Sequence, residues 1–343
     1  MKKRFNRALI YEWFNSAKAF IGLGILIWGI NSFLILDDKI NTLKVNIGYN
    51  YRNCFRTIDI GEYIFLAFIF IGIYYAGQGI NKRNNTIFLY SGPFTRKEIK
   101  NNAFICMIIT LILFAVTYIY IMFMIYLQNK NLLSISYGFE FAMLIEITKF
   151  FIFGIAGILI LCTVDALFKN IYASIIFLIA ILPSTLILII YKFFDIVSYI
   201  PNINMKYIFN FDDCIIGSKY LVDISERDLL INICFYMGIT FVLYLLFKLE
   251  NNKERLECNT NIFTSKLNRK IAVGTISFGL SILIETILYE NFTGRILYIK
   301  NIIDDGVLYG GNLVLVLSSE IFMIFILSTI IYIITNKILK RFS

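Results

Sequence analysis

The chain reads as an all-α polytopic membrane protein of about eight transmembrane helices with an N-terminal interfacial amphipathic helix. Three observations predict this class. Of 343 residues, 59% are hydrophobic and 16% charged, with mean hydropathy +0.75, which is far from the balance of a soluble domain. The apolar residues fall in blocks long enough to cross a bilayer. Lys and Arg are distributed unevenly between those blocks, as they are where charge sets membrane topology.

The first element precedes any span. Phe5, Leu9, Trp13, Ala17 and Phe20 recur at near-helical spacing, with Arg7, Glu12, Asn15 and Lys18 off that stripe. Residues 1–19 are therefore expected to hold a cytoplasmic interfacial helix with its aromatics at headgroup level, the alternative being a plain extension of the first span. Apolar blocks follow at about 20–36, 62–80, 103–127, 142–166, 171–191, 229–248, 271–289 and 315–336. They predict a six-span core over 20–248, with a cytoplasmic loop at 81–101 and an extracellular segment at 192–228. A cytoplasmic link at 249–270 leads to two additional spans and a basic tail over 271–343. The blocks at 142–166 and 171–191 are joined only around Phe168-Lys169-Asn170, which predicts an antiparallel pair. With the N-terminus inside, 20 of the 32 Lys and Arg fall in cytoplasmic segments and 11 outside, which places both termini in the cytoplasm.

Several function classes are excluded by what is missing. There is no GxxxxGK[ST] loop and no Gly-rich dinucleotide turn, so the chain is not expected to bind a nucleotide or to be an enzyme. Gly22-Leu23-Gly24 and Gly77-Gln78-Gly79 lie in apolar helices and suit close helix packing. The absence of histidine removes HExxH zinc sites and Ser-His or Cys-His nucleophiles. Six cysteines show no metal spacing, and a Cys54–Cys214 disulfide stays open. The net charge of +9 reads as topology and not as a nucleic-acid footprint. No catalytic, cofactor or metal site is expected.

Ionisable residues within spans are costly in hydrocarbon and so are candidates for function. Glu146 and Lys149, three apart on one helix face, are expected to pair. Asp165 stands near the end of the same helix, close to Lys169. Glu285 and Glu320 are expected towards the outer ends of the last two spans, where water reaches them. Each has a structural alternative, as a helix–helix tie or a side chain reaching the interface.

The best-specified stretch is Tyr90-Ser91-Gly92-Pro93-Phe94-Thr95-Arg96-Lys97-Glu98-Ile99. Gly92-Pro93 ends any preceding helix. Thr95 and Glu98 form a capping-box pattern for a new one, and Phe94 with Ile99 can staple it. Arg96, Lys97 and Lys100 then open that helix. A well-capped turn is the plain reading.

This segment, with the helix before the first span, resembles permease subunits of type-2 ABC exporters of Gram-positive type. Those carry a Pro-hydrophobic-Ser/Thr-Arg-Lys/Arg-Glu-Ile loop between spans two and three, filled here by Pro93, Phe94, Thr95, Arg96, Lys97, Glu98 and Ile99. The run Leu249–Glu257 and its basic continuation resemble the link before two further spans in such members. The resemblance implies that residues 81–101 form the coupling loop, with Asn85–Tyr90 as its docking helix. It also implies a separate ABC ATPase subunit carrying ATP and Mg, a homodimer or a heterodimer with a second permease, and a bacterial cell membrane. Peptides and lipid-like molecules are among the substrates it allows. Two other readings stand beside it. One is an ion-coupled secondary transporter using the intramembrane Glu and Lys residues. The other is an intramembrane enzyme, for which no catalytic set assembles.

Overall fold

In hydrocarbon a peptide group has no water to bond, so an apolar chain crossing it must satisfy its backbone internally, and helices do so. The computed structural model describes residues 7–46, 58, 60–78, 95–133, 139–198, 226–251, 263–288 and 311–341. They form α1 (Arg7–Asn46), α2 (Ile60–Gln78), α3 (Arg96–Gln128), α4 (Lys130–Leu133) and α5 (Phe139–Leu167). Then come α6 (Ile171–Ile176), a π-helical turn (Phe177–Ile181), α7 (Leu182–Ser198), α8 (Glu226–Asn251), α9 (Lys266–Leu288) and α10 (Gly311–Arg341). Among the described residues the only β pairing is an isolated bridge between Phe168 and Phe263. The protein is an all-α polytopic membrane protein.

Among the described residues, seven helical runs are long and apolar enough to cross a membrane. The block expected at 229–248 lies in α8, a helix of 26 residues. Its first residues, Glu226, Arg227 and Asp228, are charged.

The N-terminal segment and the first span form one helix, the plain extension that stood as the alternative. Residues 7–46 make one continuous helix of 40 residues. At 1.5 Å per residue it is about 60 Å long, roughly twice the thickness of a hydrocarbon core. Leu9, Trp13 and Ala17 are buried against protein, and Ile21 continues their stripe while Phe20 is 53% exposed.

The chain divides into two compact units, the first comprising residues 1–163 and 206–252 and the second 164–205 and 253–343. In the first, α1 packs on α2 and α3, and α8 touches α3. Glycines set the closeness of these contacts. A Cβ on Gly24 would lie 2.9 Å from Ile69 and 3.0 Å from Phe114, and one on Gly77 would collide with the Trp13 indole. Trp28, Tyr118 and Phe150 form the centre, with the Tyr118 and Phe150 rings stacked at 6.1 Å.

In the second unit α7 packs on α9, and α9 on α10. Pro183 removes a backbone donor near the start of α7. The π-helical turn precedes it, and Ser184 Oγ donates to Ala180 O (2.7 Å) and Ile181 O (2.9 Å). A Cβ on Gly279 would meet Thr185, so α9 and α7 touch closely there. The last carbonyls of α5 are also bonded. Thr264 N donates to Leu167 O (3.1 Å), and Thr264 Oγ1 and Asn268 Nδ2 donate to Ala166 O (2.6 and 3.1 Å). Asn170 caps α6 by accepting from Tyr172 N at 3.0 Å.

Candidate functional site

The expected capping box is formed at the start of α3. Thr95 has extended backbone angles, its Oγ1 accepts from Glu98 N (3.3 Å), and its own N donates to Glu98 Oε2 (2.9 Å). One turn on, Asn102 Nδ2 donates to Glu98 O at 2.9 Å. The helix that begins here runs for 33 residues with Cys106, Met107, Leu111, Phe114 and Tyr118 buried. This helix therefore connects Thr95 to the core of the first unit. Pro93, Phe94 and the Asn85–Tyr90 segment lie outside the described residues, as do the side chains of Arg96 and Lys97. Cys54, Cys214 and the run Asn252–Glu257 also lie outside them.

Glu146 and Lys149 pair on α5, as their spacing predicts, with Nζ 3.1 Å from Oε1 and both residues buried. This is a balanced pair belonging to the first unit. Asp165 is 5% exposed near the C-terminal end of α5 and is counted with the second unit. Among the described residues no group of three His, Cys, Asp or Glu is placed to hold a metal.

The most unusual polar group joins three helices of the second unit. Lys192 Nζ, from α7, stands 3.0 Å from Glu285 Oε2 on α9 and 3.0 Å from Glu320 Oε2 on α10. It also donates to Glu285 Oε1 at 3.1 Å. Two expectations are corrected here. Glu285 and Glu320 are each 1% exposed, so water does not reach them. The segment expected at 192–228 also differs at its start, since Lys192 lies on a helix that runs on to Ser198.

Sequence reasoning missed Lys192 because it stands one residue beyond the apolar block ending at 191. A signal was available: Phe193, Phe194, Ile196 and Val197 continue the apolar run, and Lys192 falls two turns after Thr185, the residue against Gly279. An ammonium held by two carboxylates can tie helices together. Compared with protein-family models, curated proteins and solved structures, the chain gives no match.

Proposed function

We propose that this chain is the transmembrane permease subunit of an ATP-driven exporter of the type-2 ABC class. It would work in a bacterial cell membrane with both termini in the cytoplasm. A separate ATPase subunit would bind ATP and Mg, and a second permease, identical or related, would complete the pathway. The observation that carries this reading is the formed capping box at Thr95 and Glu98, directly behind the Ser-Gly-Pro-Phe segment. A box of this kind fixes the direction of a helix start. A push delivered to residues 85–94 would then move α3 as a rod about 50 Å long rather than fray its first turn. Closure of the ATPase dimer on ATP supplies that push, and helix displacement in the first unit opens a path between permeases.

Arg96 and Lys97 are assigned to acidic groups on the ATPase, and Glu98 to holding the cap. The test is Arg96→Glu combined with Lys97→Glu. Loss of the co-purifying ATPase, with the permease still inserted, supports docking at this turn. Unchanged association sinks the docking assignment.

A second reading, a carrier driven by an ion gradient, is favoured by the buried Lys192–Glu285–Glu320 cluster. It requires transport that follows an ion gradient and continues without ATP. Uptake assays in vesicles, with and without ATP, separate the two.

A further inference from the structure

Six basic residues gather at one end of the α9–α10 pair. Lys266, Arg269 and Lys270 open α9, and Lys337, Lys340 and Arg341 close α10. Consecutive spans run in opposite directions, and Lys192 holds Glu285 and Glu320 at a common level. Sixteen residues back along α9 and sixteen on along α10, Arg269 stands opposite Asn336, with Lys270 and Lys337 beside them. The two levels are about 24 Å apart, and residues 271–284 and 321–336 between them carry no charge. Arg269, Lys270 and Lys337 are therefore the first charges met at this end, which puts them at headgroup level.

This positive charge is not offset. No acid stands on either helix between this end and Glu285 or Glu320. Among the described residues, Arg269, Lys270 and Lys337 have no carboxylate partner. Arg269 is part-buried, and its Nε has less than 1 Å² of open surface and bonds nothing among the described residues. Asn336 Oδ1, at the same level, is in the same condition, so these groups do not satisfy one another. A guanidinium enclosed at Nε is a fixed charge, and its planar fork matches the paired oxygens of a phosphate. The neighbouring end of α5, bonded to Asn268 through Ala166 O, adds Asp165 and Lys169, one charge of each sign. Lys253, Glu254, Arg255 and Glu257, which precede α9, are balanced in sign and lie outside the described residues. So do the side chains of Lys266, Lys340 and Arg341.

What adjoins these charges selects the partner. Leu267 and Ile271 on α9, and Ile334 and Ile338 on α10, are exposed within a turn of the basic residues. A free anion gains nothing from such side chains, and a protein docking end-on from water would leave them bare. A phospholipid meets both, with its headgroup at the bases and its acyl chains along the isoleucines. We propose that this end of the second unit binds an anionic phospholipid, Arg269 taking the phosphate and Lys270 and Lys337 flanking it. The inference needs only that the chain lies in a bilayer, so it does not depend on the exporter reading.

Titrating the delipidated full chain in detergent with phosphatidylglycerol, and separately with phosphatidylcholine, tests it, with native mass spectrometry as the readout. Phosphatidylglycerol is expected to bind at least about tenfold more tightly. Lys270→Gln with Lys337→Gln, at two exposed positions that folding does not depend on, should reduce that preference by roughly tenfold. Adding Arg269→Gln should abolish it. Removing three charges from the first unit instead, by Lys39→Gln, Lys44→Gln and Lys130→Gln, should leave it in place, which separates a site from general attraction. Equal binding of the two lipids, or an equal loss in the first-unit variant, overturns the proposal. Displacement of the lipid by millimolar inorganic phosphate overturns it too, since the site would then be one for free anions. So does a Lys270→Gln/Lys337→Gln chain that binds lipid as before but loses a co-purifying protein.

Discussion

The Lys192 ammonium lies 3.0 Å from Glu320 Oε2, joining a helix that ends at Ser198 to one that begins at Gly311. With Glu285 bound to the same nitrogen, a single side chain of α7 holds both α9 and α10. Most of α10 is otherwise exposed, its apolar window being 6% buried. The tie adds to the packing of α9 on α10.

Removing the lysine should be costly, because two buried carboxylates lose their shared partner. Lys192→Met is expected to destabilise the protein by about 3–5 kcal/mol. Adding Glu285→Gln should recover much of that loss. Thermal unfolding in detergent measures both, and a Lys192→Met protein that melts like the wild type would contradict the tie.

The joint at the end of α5 offers a milder test. Asn268→Leu removes the donor to Ala166 O, seen at 3.1 Å, and leaves Thr264 Oγ1 as its side-chain donor. A loss of about 1–2 kcal/mol is expected. Thr264→Ser, which keeps its hydroxyl, should be close to neutral. Chemical denaturation of the two variants side by side distinguishes them.

Packing in the first unit is predicted to be intolerant at one glycine. A methyl group on Gly77 would overlap the Trp13 indole. Gly77→Ala should cost about 1–3 kcal/mol, as overpacking does. Trp13→Ala, harmful alone, should be less harmful in the Gly77→Ala background. A double-mutant cycle on melting temperature checks the coupling, and strict additivity would mean the two residues do not touch.

The cap of α3 separates a stability effect from a functional one. Thr95→Ala should cost about 1 kcal/mol and raise amide exchange at Glu98, whose N–H loses its acceptor. If the exporter reading holds, the same change lowers transport per ATP hydrolysed by more than it lowers protein yield. Thr95→Ser should preserve both.

Local features of the fold were readable from the sequence, whereas features set by distant partners were not. The Thr95–Glu98 box and the Glu146–Lys149 pair depend on residues three apart, and both stand as spacing predicts. The helix stripe through Leu9, Trp13 and Ala17 was also visible. What it packs against was not, because Gly77 lies on another helix, and an amphipathic pattern does not distinguish headgroups from protein. The apolar blocks gave helix positions but not their lengths. Apolarity ends where charge begins, yet α7 carries a lysine and continues. The Lys192–Glu285 bond spans 93 residues of chain. No local window contains such a pair, so each partner looked like a charge seeking water.

Most direct for the central claim is to purify the tagged chain from its native membranes in mild detergent and measure ATP hydrolysis by what co-purifies. A permease of the proposed class brings down an ATPase whose hydrolysis disappears from the preparation when Arg96 and Lys97 are reversed in charge. A chain that purifies without ATPase activity, and whose transport follows an ion gradient with ATP depleted, would contradict the exporter reading and support the ion-driven carrier.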